Sequence, residues 1–495
     1  MVLSNVSVWT YVSFSLYLLA MLAIGVYFFY KTKNLSDYIL GGRSLGAWVT
    51  ALSAFASDMS GWLLMGLPGL AFATGLAEPL WTAVGLVFGS LLNWLLVARR
   101  LRRYTYAAGD AHTLSDYFEN RFQDKSRLLR VISSLFTIFF FTIYTAAQFV
   151  AGGKLFQSVL GLDYSVSLLI MACSLTLYIF LGGFLAVCWT DFFQGVLMLG
   201  ALIVVPLMAI YQMGGITAIN LDVNYLQLFN SGKGGETPLS TLALLSMLAW
   251  GLGYFGQPHI LVRFMSISHE EELPKATTIA TSWTFISMAM AIFIGLIGAL
   301  FVANNGMVLS DPERIFIVLI NATMHPFIGG LMLAAILAAA QSTAASQILV
   351  SSSSFVEDLY RTFTKTKKEK AQEKKLLLLN RLAVIGVMLI AALIAGDPES
   401  NVLKIVAYAW GGLGAAFGPL ILFSLYWKRM TRYGALAGMI VGGSTTIIWK
   451  HLIAPMGGIF AVYELLPAFV LSTLAIVLVS LNSTAPSSSP LTKRG

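Results

Sequence analysis

A carboxylate in the middle of an apolar stretch is the residue in this sequence that most needs a chemical explanation. Asp58 lies in Ala56-Ser57-Asp58-Met59-Ser60-Gly61, at the centre of the apolar segment 46–74. A charge at mid-membrane costs about 2.5–3.5 kcal/mol on insertion scales, so such a residue is a functional candidate by default. From Gly46 to Gly75 the segment would be about 45 Å long as one helix, well beyond a hydrocarbon core of about 30 Å. Ser57, Ser60 and Gly61 are poor helix formers and favour a break beside the carboxylate. Unwound backbone at that depth is tolerated only where it lines a cavity or meets protein. Free carbonyls next to a carboxylate suit a hard cation such as sodium. The competing reading is a structural Asp satisfied by neighbouring hydroxyls and amides.

Two more stretches carry similar signals. Trp250-Gly251-Leu252-Gly253-Tyr254-Phe255-Gly256-Gln257-Pro258 predicts a second broken span, because proline removes an amide donor and the glycines loosen the turn before it. Ala338-Ala339-Ala340-Gln341-Ser342-Thr343-Ala344-Ala345-Ser346 places adjacent hydroxyls in a small-residue span. They could complete an oxygen cage, or they could be packing glue between helices, and the residues alone leave both open. Broken spans at matching places in two halves of a chain point to a transporter site built on an inverted repeat.

Other chemistries find little support. No G-x-x-x-x-G-K-[ST] phosphate loop occurs, and His112, His259, His269, His325 and His451 lack metal-ligand spacing. No nucleophile elbow or paired-carboxylate pattern is present, so an enzyme is not expected. Gly434, Gly438 and Gly442 form overlapping G-x-x-x-G units that read as close helix packing. Cys173 and Cys188 cannot build a disulfide framework and read as small hydrophobes in a helix.

The elements that must position these residues follow from composition. The 495 residues are 57% hydrophobic and 11% charged, with mean hydropathy +0.79. Soluble domains carry about 25% charged residues, so this chain is read as one polytopic membrane bundle. Thirteen spans are expected, near 9–30, 46–74, 79–98, 131–151, 165–186, 190–213, 240–262, 279–302, 327–355, 381–396, 402–427, 433–453 and 458–480. The first is a retained helix rather than a signal peptide, since no Lys or Arg precedes it while Lys31 and Lys33 follow. With the N-terminus outside, 26 of the 31 Lys and Arg fall in cytoplasmic segments. Lys154, Lys233, Arg314, Lys404 and Lys450 fall outside, in keeping with the positive-inside bias. The net charge of +8 is thereby assigned to loops such as RRLRRY at 99–104 and KTKKEKAQEKK at 365–375. These set topology and meet lipid headgroups, and nucleic acid is not expected. The polar 483–495 tail is expected to be disordered.

SDMSGWLLMGLPG at 57–69, GGRSLGAWVTALSA at 41–54 and WGLGYFGQPHILVRFM at 250–265 resemble the proline branch of the sodium/solute symporter family. The likeness runs from about Val8 to Val479. It implies an all-α integral membrane protein with a leucine-transporter-like inverted-repeat core. That core, 46–427, would hold helices 2–6 and 7–11, preceded by 1–45 and followed by two C-terminal helices in 428–482. The activity implied is sodium-coupled import of L-proline across the bacterial cytoplasmic membrane. Carried onto matching positions, carbonyls of Ala56, Met59 and Ala339 and hydroxyls of Ser342 and Thr343 would hold sodium. Asp58 would serve coupling, and Ser60, Gly61, Tyr144, Trp250, Tyr254 and Pro258 would contact proline. Arg43 and Asp191 match gating positions, although as residues they read equally as loop charges near helix ends. A same-fold symporter for another small carboxylate such as pantothenate is the nearest alternative, and a membrane sensor or channel the next.

Overall fold

Each apolar segment forms helix, and the departures from regular helix fall at the residues that matter most. The computed structural model describes residues 7–31, 35–232, 235, 237–364 and 370–484. The expected disordered tail from 485 and the basic stretch 365–369 lie outside the described residues. In chain order the helices are α1 (Val8–Lys31), α2 (Ala47–Ala56), α3 (Trp62–Thr74), α4 (Ala77–Ala107), α5 (Leu114–Phe122), α6 (Leu128–Leu160) and α7 (Tyr164–Gln212). They continue as α8 (Thr241–Gly256), α9 (Pro258–Ser266), α10 (Leu273–Asn304), α11 (Ile315–Thr323), α12 (Pro326–Thr364), α13 (Lys370–Ile394), α14 (Val402–Tyr426), α15 (Arg432–Met456) and α16 (Leu465–Asn482). A two-stranded antiparallel pairing, Asn230–Ser231 with Thr237–Pro238, sits in the loop before α8. Among the described residues, 10 helices are long and apolar enough to cross a membrane.

α12 is the axis of the bundle, packed by α1, α6 and α7, and it is buried through most of its length. That burial explains its run of Ala, Ser and Gly, which lets neighbouring backbones come close. At the other end of the chain, Gly438 packs on Ile476 and Ser472, and Gly442 on Ala415, so the G-x-x-x-G units do bring α15 against α16 and α14.

Three expectations need correction. RRLRRY is not a loop: α4 runs on to Ala107. Arg102 donates to the Ile267 carbonyl at 2.8 Å, and Arg103 pairs with Glu270 at 2.7 Å. Arg100 lies 3.9 Å over the Tyr426 ring, so the charges find partners without leaving the helix. The segments 165–186 and 190–213 are two helices, but they meet at a kink at Gly183 (φ 62, ψ −159), within the range labelled α7, and not in a loop at 187–189. Only glycine adopts that conformation at little cost, and Tyr38 fills the space a side chain would need. Lys154, assigned to an outer loop, is instead inside α6, where it pairs with Glu313 at 2.9 Å and Asp311 at 3.0 Å.

Candidate functional site

The break between α2 and α3 frees a carbonyl. In a continuous helix the Ala56 oxygen would accept from the Ser60 amide, but that amide turns to the Asp58 carbonyl at 2.8 Å. The Ala56 oxygen instead accepts from the Ser342 hydroxyl at 2.5 Å and from the Thr343 hydroxyl at 3.4 Å. Ser342 Oγ also lies 3.1 Å from the Ala339 carbonyl. A hydroxyl carries one proton, so it satisfies one of these carbonyls at a time and leaves lone pairs for a third party. Met59 lies in the same link, fully buried. Oxygen ligands of this kind are what a hard monovalent cation takes.

Asp58 is buried next to this cluster. Its Oδ2 accepts from the Tyr254 hydroxyl at 2.7 Å, while Oδ1 has no hydrogen-bond partner. Trp62 Nε1 and, at 3.5 Å, the Tyr144 hydroxyl donate to the Asp58 carbonyl. The Gly61 amide is taken by Gln148 Oε1 at 3.1 Å, and Ser60 Oγ accepts from the Trp62 amide at 3.4 Å. A Cβ on Gly61 would stand 2.6 Å from Ala151 Cβ, so only glycine lets the link approach α6.

Tyr254 reaches Asp58 because the second half of α8, Ala249–Gly256, winds as a 3-10 helix. Eight residues is long for that geometry, which is poorer in hydrogen bonding and is typical of functional hinges. The glycines permit it: a Cβ on Gly256 would meet the Leu413 carbonyl at 2.5 Å. Tyr254 packs edge-on to Trp410 at 5.0 Å, and Trp250 is stacked on Tyr463 at 5.3 Å with Trp62 6.3 Å away. Gln257 then bridges the break before α9, donating to the Gly253 and Trp410 carbonyls at 3.1 Å. Pro258 opens α9 and lines a small cavity with Thr113, Thr137, Phe184, Val262 and Ser353, which neither Trp250 nor Tyr254 reaches.

Asp191 is not a loop charge. It is buried within α7, where its Oδ2 accepts from Arg263 at 3.1 Å, Ser53 at 2.8 Å and Ser346 at 3.5 Å. Arg263, counted from the sequence among loop cations, is 1% exposed and also donates to the His259 carbonyl at 2.6 Å and Ser346 Oγ at 2.5 Å. α2, α7, α9 and α12 are thus cross-linked through one ion pair. Arg43 sits further out on the turn Gly41–Arg43, with φ 51. It pairs with Asp110 at 2.8 Å and donates to the Ala111 carbonyl at 3.0 Å and to the Met265 carbonyl. Burial pulls its guanidinium below the usual arginine range, with Asp110 opposing that shift. Beside it Leu45 and Ile267 form a parallel bridge, so this end of the bundle is closed by backbone as well as charge.

Sequence reasoning missed Arg263, Gln148 and Gln257, though each is a polar residue in or beside an apolar span, which is itself a signal.

A family profile described as the Sodium:solute symporter family matches residues 38–442. The high-affinity proline transporter PutP of Bacillus subtilis (strain 168) is 48% identical over 469 residues, covering 94% of this chain and 97% of that one. The sodium/proline symporter of Staphylococcus aureus (strain JH9) is 46% identical over 477 residues, covering 95% and 92%. Among solved structures, the substrate-bound outward-open state of a Na+-coupled sialic acid symporter superposes with a TM-score of 0.80. It covers 97% of this chain and 99% of that one at 20% identity, a likeness of fold.

Proposed function

This chain belongs to the sodium:solute symporter family, and we propose that it imports L-proline with sodium across the bacterial cytoplasmic membrane. The observation that carries the reading is the Ala56 carbonyl, released by the α2–α3 break and met by the Ser342 and Thr343 hydroxyls beside buried Asp58. Proline transport by relatives that align along nearly the whole chain supports the substrate.

In this reading sodium sits between α2 and α12, on the carbonyls of Ala56, Met59 and Ala339 and the hydroxyls of Ser342 and Thr343. A cation there offsets the cost of burying the Asp58 carboxylate in low dielectric. Asp58 acts by holding the break open to Tyr254, whose hydroxyl joins the two broken spans. Proline lies against Ser60, Gly61, Tyr144, Trp250 and Tyr254, while Pro258, expected to join them, lines the separate cavity beside Thr113 and Ser353. Sodium binding therefore orders the link that the substrate needs, which is positive coupling between two ligands.

The thirteen spans form a ten-helix core over 46–427 as two five-helix sets, with the N-terminus outside. The Arg43 clamp and the Asp191–Arg263 pair then lie on the cytoplasmic side and must both part for release. One sodium crossing 100 mV supplies about 2.3 kcal/mol, and a tenfold gradient about 1.4 kcal/mol more, enough for about 500-fold accumulation.

The test is uptake of labelled L-proline into proteoliposomes with an inward sodium gradient, and with potassium in its place. Concentrative uptake with sodium alone is expected. Equal uptake in both, or none competed by unlabelled proline, would refute the reading.

A further inference from the structure

α1 lies outside the proposed ten-helix core, yet it is fastened along α12, the helix that carries Ser342 and Thr343. Near the start of α12, Ser13 Oγ donates to the Phe327 carbonyl at 2.7 Å, and a Cβ on Gly330 would lie 2.9 Å from Ser13 Cβ. One turn further along α1, Tyr17 reaches deeper. Its hydroxyl donates to Gln341 Oε1 at 2.8 Å and accepts from Gln194 Nε2 at 2.7 Å. Gln341 Nε2 in turn donates to Ser174 Oγ at 2.8 Å. Tyr17 is 5% exposed, Ser174 7%, and Gln194 and Gln341 are fully buried.

A relay of neutral polar groups inside a membrane bundle is costly unless its members are paired, and Gln194 Oε1 is left without a partner even so. Packing alone would be served as well by Phe and Leu. What the relay adds is direction. Gln341 immediately precedes Ser342, so a side chain held from one side by Tyr17 and from another by Ser174 fixes the rotation of α12 about its axis at that turn. A helix rotated by even a fraction of the 100° between successive residues would carry both hydroxyls off the Ala56 carbonyl.

We propose that Tyr17 is a positioning residue for sodium: through Gln341 it sets the rotation of α12 that aims Ser342 and Thr343 at the Ala56 carbonyl. The inference rests on the sodium site proposed above. It makes the first helix a brace for ion affinity rather than a membrane anchor.

The experiment is sodium activation of proline uptake in proteoliposomes for Tyr17→Phe, Gln341→Leu, the two combined, and Ser342→Ala. Tyr27→Phe serves as a control, since Tyr27 is 55% exposed on the same helix. Loss of one neutral hydrogen bond corresponds to a rise in half-saturating sodium of about threefold to tenfold for Tyr17→Phe. The maximal rate at saturating sodium and the proline half-saturation there should stay unchanged, the double variant should add little to Gln341→Leu, and Tyr27→Phe should match the unmodified protein. A shift for Ser342→Ala with none for Tyr17→Phe overturns the proposal and leaves the sodium site standing. A Tyr17→Phe protein that loses thermal stability and maximal rate at unchanged half-saturating sodium also overturns it, since that is the signature of packing. No shift for Ser342→Ala removes the sodium site and the proposal together.

Discussion

The Asp191–Arg263 pair allows a double-mutant cycle with a large expected signal. Arg263 donates to Asp191, Ser53, Ser346 and the His259 carbonyl, all within 3.1 Å and all shut away from solvent. Asp191→Asn leaves a guanidinium buried against two hydroxyls and a carbonyl. Arg263→Gln leaves a carboxylate with only Ser53 and Ser346. Breaking a buried pair by removing one partner costs about 3–5 kcal/mol, because the remaining charge is uncompensated. Removing both charges, in Asp191→Asn with Arg263→Gln, takes away that penalty, so the double variant should lie above either single one. The coupling energy should be at least about 2 kcal/mol, at the upper end for groups in contact. Unfolding free energies in mixed micelles measure the four corners. Simple addition of the two single losses would refute the argument that the pair is a desolvated cross-link between α2, α7, α9 and α12.

Other outcomes follow from the same geometry. Ser342→Ala should raise half-saturating sodium by about tenfold or more, from the loss of a hydroxyl at the proposed sodium site, and Thr343→Ala by less, since its contact with the Ala56 carbonyl is longer (3.4 against 2.5 Å). Uptake curves against sodium decide this, and an effect on expression alone would favour the packing role. Gly61→Ala should cost about 1–3 kcal/mol from overpacking against Ala151. Ala151→Gly in the same chain should recover much of it in a thermal melt. Asp58→Ala should sharply weaken sodium dependence with membrane insertion intact, and unchanged sodium activation would remove the coupling role. Tyr254→Phe, which deletes the 2.7 Å bond to Asp58, should weaken apparent sodium affinity in the same direction but by less.

The breaks were legible in the residues. Ser57, Ser60 and Gly61 are weak helix formers clustered at one point, and the glycines before Pro258 loosen the turn there, so the ends of α2 and α8 fall where local chemistry favours a break. Buried charge was read less well. Asp191 and Lys154 look like residues at helix ends because hydropathy averages over a window and does not see that a partner on a distant helix can neutralise a charge within it. Arg263 and Glu313 are those partners, at separations of 72 and 159 residues. The extension of α4 through RRLRRY has the same origin, since Ile267, Glu270 and Tyr426 are unrelated to it in sequence.

The residues alone thus determined a polytopic helical bundle, its apolar segments, the two interrupted spans and the side chains able to offer oxygen to a cation, because each depends on composition and local propensity. Tertiary structure decided which of those oxygens meet. Whether the Ser342 hydroxyl faces Ala56 or lipid depends on the rotation of α12, and that rotation is set by contacts from α1, α6 and α7 hundreds of residues away in some cases, as with Tyr17 and Gln341, 324 positions apart. No local preference encodes such a meeting. Only the closure of the bundle, with each buried polar group seeking a partner where water is absent, brings them together.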